Sequence, residues 1–111
     1  MLSIIVPCYN EADAIPYFFA ATEEVITSLG CQTEYIFVND GSKDETLTVL
    51  RNLHQEHPDR VRYLSFSRNF GKEAAIFAGL KACRGDYITL MDAHLQDPPE
   101  LLPQMFELIQ S

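Results

Sequence analysis

The chain has 111 residues, 47% of them hydrophobic and 22% charged. That is the balance of one globular domain, long enough to bury roughly 65% of its unfolded surface. A formal net charge of −8 argues against a broad positive field, and so against non-specific nucleic-acid binding or a basic membrane-surface patch; an anionic ligand would need a metal ion or a few placed Arg and Lys residues.

Ser3 to Val6 reads as the first strand, ended by Pro7, which cannot donate to a ladder. It is too short for a signal-peptide core, and no later apolar run approaches the ~20 residues of a membrane span. After the loop Pro7 to Glu11, the residues Ile15, Phe18, Phe19, Thr22, Val25, Ile26 and Leu29 recur at helical spacing, with Asp13 as cap and Gly30 as terminator. Tyr35 to Val38 is the second strand. Ser42 and Glu45 have capping-box spacing for the next helix, whose buried stripe is Leu47, Leu50 and Leu53.

Val61 to Phe66 is the third strand, placed at a sheet edge by its internal Arg62. A helix from about Lys72 to Arg84 follows, with a small face of Ala75, Gly79 and Cys83 and with Gly85 as its end. Tyr87 to Met91 reads as a buried fourth strand that delivers Asp92 to its carboxyl end. Asp97, Pro98 and Glu100 then start a last amphipathic helix carrying Leu101, Leu102, Met105, Phe106 and Ile109.

This alternation predicts an α/β fold: an open, mostly parallel sheet in the order 3-2-1-4, with helices on both faces. Ligands bind such sheets beyond the carboxyl ends of the strands, where the strand order reverses. That switch point gathers Pro7 to Glu11, Asp40 and Asp92 to Gln96.

Two readings stand at each candidate position. Asp92 and His94, two residues apart, could share a divalent cation with help from Gln96, or Asp92 could cap a turn beside a solvated His94. Asp40 could form a plain Asp-Gly turn or accept a nucleobase ring N–H. Arg68 and Lys72 flank a glycine at a helix start, where they could hold phosphate or be solvated charges. Cys8, Cys31 and Cys83 lack metal or disulfide spacing and read as reduced packing residues. His54 and His57 need no role beyond the end of their helix. A nicotinamide-dinucleotide fold is disfavoured, since no Gly-rich fingerprint follows the first strand.

Taken together, Ile5-Val-Pro-Cys-Tyr-Asn-Glu11, Val38-Asn-Asp-Gly-Ser-Lys-Asp44, Ser67-Arg-Asn-Phe-Gly-Lys72 and Met91-Asp-Ala-His-Leu-Gln-Asp-Pro-Pro-Glu100 resemble the inverting family 2 glycosyltransferases. Within that family they are most similar to the polyprenyl-phosphate branch, which includes bactoprenol glucosyltransferases and dolichyl-phosphate mannosyltransferases. The resemblance implies a GT-A fold and transfer of a sugar from a nucleoside diphosphate sugar, UDP-glucose foremost, to polyprenyl phosphate at the cytoplasmic membrane face. It implies that Pro7, Tyr9 and Glu11 line the nucleoside pocket, that Asp40 binds the base, and that Arg68 and Lys72 approach the nucleotide. It assigns Asp92, His94 and Gln96 to a divalent cation, Mn2+ or Mg2+, and the diphosphate.

The family's Asp-x-Asp stands here as Asp92-Ala-His94, which changes the type of the second metal ligand. The resemblance also implies an N-terminal piece of a longer enzyme, inactive alone, with its catalytic base beyond Ser111. The fourth strand is then an exposed edge inviting self-association. Two other function classes fit a chain of this kind: a receiver-like signalling domain, and an inactive nucleotide-binding or assembly module.

Overall fold

The computed structural model describes residues 1–93. Within them seven elements alternate: β1 (Leu2–Cys8), α1 (Ala14–Leu29), β2 (Thr33–Asn39), α2 (Thr46–Glu56), β3 (Val61–Ser65), α3 (Lys72–Ala82) and β4 (Tyr87–Leu90). The strands form one parallel sheet in the predicted order β3-β2-β1-β4.

Successive side chains of a strand point to opposite faces, and the core divides accordingly. Ile4, Val6, Cys8, Tyr35 and Phe37 pack with Ile15, Phe18, Phe19 and Ile26 of α1 and with Leu50 and Leu53 of α2. On the other face Ile36 and Val38 pack with Ala75 of α3. All seven residues of β2 are buried, because helices cover it on both sides. Gly79 lets α3 lie close to the sheet: a Cβ there would sit 2.5 Å from Cγ2 of Ile5.

Several local expectations are corrected. Pro7 does not end β1, which stays paired with β2 through Pro7 and Cys8. The reason is direction. The Met91 N–H donates to the Ile5 carbonyl at 3.0 Å, so residues 5 and 7 turn their backbone polar groups toward β4. Pro7 therefore lacks a donor only on the side where β4 has already ended, and its pairing with β2 is unaffected.

The Ser42 and Glu45 capping box does not form. Glu45 makes no side-chain cap, and Asp44 accepts instead from the N–H and hydroxyl of Thr46. Asp13 occupies the N-cap position of α1 without a side-chain cap bond, while Gly30 closes that helix at φ 69°.

α3 ends at Ala82, short of Gly85. Gly85 is needed for close approach, since a Cβ there would meet the Met1 carbonyl oxygen and Ser3 Oγ, each at 2.5 Å. β4 is only half buried: Thr89 is covered, whereas Ile88 and Leu90 are 39% and 45% exposed.

A joint at the amino end of the sheet had no sequence signal. Buried Glu34 accepts from Ser3 Oγ, from the Arg84 N–H and from Arg62 Nη2, each at 2.6 Å. Arg62 also donates to the Ala82 carbonyl. One carboxylate thus ties β1, β2, β3 and the end of α3 together. Arg62 does lie on an edge strand, as predicted.

Candidate functional site

Three connections meet beyond the carboxyl ends of the strands, and side-chain hydrogen bonds knit them. Asn10 adopts a left-handed conformation at φ 54°, which Asn tolerates better than most residues. Its Oδ1 accepts from the Lys43 N–H at 2.8 Å, and its own N–H donates to Ser42 Oγ at 2.9 Å. The N–H groups of Glu11 and Ala12 donate to Thr46 Oγ1 and Asp44 Oδ2. Burial pushes the Asp44 carboxyl up, but the bonds from Thr46 and Ala12 outweigh it and hold the group below its usual range.

Asp40 builds the third side. Its carboxylate, 4% exposed, accepts from the Phe70 N–H at 2.7 Å, the Gly71 N–H at 3.0 Å and Asn69 Nδ2 at 3.2 Å. These bonds fold the turn before α3 onto β2. The turn before α3 therefore meets its anion from within the protein: Asp40 takes the two backbone N–H groups just ahead of the helix start. A carboxylate offers about four acceptor positions, so three donors leave Asp40 room for one more partner.

The loops enclose a cavity of about 110 Å³ lined by Pro7, Cys8, Tyr9, Glu11, Asp40, Lys72 and Asp92. Six of these seven were singled out from sequence. Pro7 and Tyr9 form one wall, and Tyr9 is 41% exposed at the rim. Lys72 Nζ lies 3.9 Å from Asp92 Oδ2. Three acidic side chains and one ammonium thus line the same space.

Arg68 stands apart from the cavity lining, with its guanidinium 4.1 Å from the centre of the Phe70 ring. His94 and Gln96 lie outside the described residues. Among the described residues, no group of three His, Cys, Asp or Glu side chains is disposed to hold a metal. Asp92 alone supplies a carboxylate at the end of β4. That fits a divalent ion completed by phosphate and water oxygens, as Mg2+ sites of one or two carboxylates usually are.

Cys8, in the Pro7 to Glu11 stretch expected at the switch point, joins the lining as a buried thiol. Burial, reinforced by the Glu11 and Asp92 carboxyls, pushes its pKa well above the ordinary value, so it is no nucleophile. No helix among the described residues is long and apolar enough to cross a membrane.

Residues 3–111 match the family model described as Glycosyl transferase family 2. Over 110 residues the chain is 44% identical to a prophage bactoprenol glucosyl transferase homolog of Escherichia coli, covering 99% of this chain and 36% of that protein. It is 38% identical over 104 residues to the undecaprenyl-phosphate 4-deoxy-4-formamido-L-arabinose transferase of Pseudomonas fluorescens, covering 94% of this chain and 31% of the relative. The chain spans about a third of the length of these relatives. A solved mannosyltransferase from Pyrobaculum calidifontis, in complex with GDP-Man and Mn2+, has the same fold, with a TM-score of 0.80 at 23% identity over 99% of this chain and 32% of that one. The sheet order, the helices on both faces and the family match agree: this chain has a GT-A-like fold and belongs to glycosyltransferase family 2.

Proposed function

We propose that the chain is the donor-binding part of a glycosyltransferase that moves a sugar from a nucleoside diphosphate sugar to polyprenyl phosphate, with UDP-glucose as the favoured donor. The observation that carries this reading is the cavity at the strand ends, where Glu11, Asp40, Lys72 and Asp92 meet. Pro7 and Tyr9 flank the nucleoside, and Asp40 offers its remaining acceptor position to the base. Asp92, with His94 and Gln96 two and four positions on in the sequence, holds a divalent cation against the diphosphate, and Lys72 contacts the phosphates. Arg68, stacked on Phe70, serves at most the rim. When bound, the ion supplies Lewis-acid stabilisation of the leaving diphosphate.

The glucosyl relative supports glucose as the transferred sugar. The arabinose-derivative relative and the GDP-Man complex mark how far sugar and base vary among similar proteins. A polyprenyl acceptor puts the whole protein's work at the cytoplasmic membrane face. The family match leaves a receiver-like signalling role without support.

Calorimetric titration with UDP, UDP-glucose and GDP, each with Mn2+ or Mg2+, tests the proposal. Metal-dependent binding of UDP and UDP-glucose, stronger than that of GDP, is expected, and Asp92→Ala removes the metal effect. Failure of every nucleotide to bind at millimolar concentration overturns it in favour of an inactive assembly module.

A further inference from the structure

Lys72 occupies an awkward position for a lysine. It is the first residue of α3, where the helix dipole disfavours positive charge. Its side chain is 69% exposed, yet its ammonium turns back to 3.9 Å from Asp92 Oδ2, whose side chain is only 22% exposed. The backbone beneath it is fixed, because Asp40 holds the N–H groups of Phe70 and Gly71 immediately before it. The long flexible stem can therefore swing about a rigid base. At this separation and exposure the pair is loose and easily exchanged.

We infer that Lys72 is a counter-ion latch on Asp92, which makes metal binding at Asp92 conditional on a diphosphate. The inference rests on the donor-site reading of the cavity. A divalent cation arriving alone must displace the ammonium from the carboxylate and then sit beside it, two positive charges at close range. When a diphosphate arrives with the metal, the displaced ammonium gains an anionic partner in the same cavity, and the penalty disappears. Asp40, also in the lining, does not substitute, because Asn69, Phe70 and Gly71 engage its carboxylate. Metal and nucleotide then strengthen each other's binding by the same factor, as linkage requires.

Electron paramagnetic resonance of free Mn2+ measures this on the whole chain, with and without UDP, for wild type, Lys72→Met and Lys72→Arg. The expected result is that Lys72→Met binds Mn2+ alone about two- to fivefold more tightly than wild type, the range an exposed ion pair supports. The enhancement of Mn2+ binding by UDP should shrink in the same variant, while Lys72→Arg keeps the wild-type pattern. Unchanged or weaker binding of Mn2+ alone by Lys72→Met overturns the latch, even where UDP and Mn2+ still bind together. Wild type that fails to bind UDP with Mn2+ at all defeats the donor-site reading itself, a separate outcome. Circular dichroism of the whole chain checks that each variant is folded.

Discussion

Gly41 and Arg68 touch backbone to backbone: a Cβ on Gly41 would lie 2.2 Å from the carbonyl carbon of Arg68 and 2.3 Å from the Asn69 nitrogen. Gly41 also has φ 70°, so the position excludes other residues twice over, by conformation and by contact. Gly41→Ala should destabilise the chain by about 2 kcal/mol or more, from left-handed strain plus overpacking against backbone that cannot yield. A thermal melt should show a loss of roughly 10 °C.

Asp40→Asn keeps the shape of the side chain and removes its charge. An amide presents one oxygen and one NH2 group, and the latter confronts the N–H groups that the carboxylate accepted. The expected cost is about 2 kcal/mol, as for loss of charge-assisted hydrogen bonds. Faster hydrogen exchange at the Phe70 and Gly71 amides should report it, together with weaker nucleotide binding. Unchanged exchange at those two amides would show that Asp40 does not organise the turn.

Glu34 gives the fold an acid limit. Burial pushes its carboxyl up, but hydrogen bonds from Ser3, Arg84 and Arg62, together with the Arg62 charge, outweigh it and leave the pKa below 4.5. A carboxyl lowered in the folded state stabilises the fold fully above its unfolded value, and this contribution fades as the pH falls from about 4.5 through the lower folded value. Glu34→Gln should cost about 2 kcal/mol at pH 7, leaving Arg62 half-buried without its carboxylate. Its melting temperature should also fall less steeply than wild type below pH 4.5, which a pH series of melts will check.

The face of β4 beside α3 exposes Ile88 and Leu90, while Phe77 and Leu80 are exposed on α3 at 59% and 44%. Among the described residues no strand pairs with the outer side of β4. Sedimentation should detect self-association of this chain rising with concentration, and Ile88→Lys should suppress it. A monomer at every concentration would remove this edge as an interface.

The sheet order was legible because alternating short apolar runs and helical stripes admit few topologies once crossover rules apply. The cavity was legible for the same reason: Tyr9, Glu11, Asp40 and Asp92 follow strand ends, Pro7 lies in the last residues of β1, and Lys72 begins a helix at the switch point. What stayed hidden depends on directions that spacing does not carry. The Asp40 carboxylate turns toward the loop of Phe70 as well as toward the cavity, and Arg68 turns onto a ring. The Glu34 joint was invisible because an acidic residue flanking an apolar run normally reads as solvent-facing. Gly85 looked like a helix stop, yet the contact that demands it lies across the sheet at Met1 and Ser3.

Pro7 has a consequence for the width of the crevice. In a parallel ladder, the bond after the one from Met91 N–H to the Ile5 carbonyl would run from the nitrogen of residue 7 to the Met91 carbonyl, and proline has no hydrogen to give. The zipper between β1 and β4 jams at that tooth, and their pairing stops there. Glu11 and Asp92 take their places on opposite sides of the fork. The opening therefore begins where a backbone donor is missing, while Pro7 and Cys8 on its β1 side stay fixed by their pairing with β2.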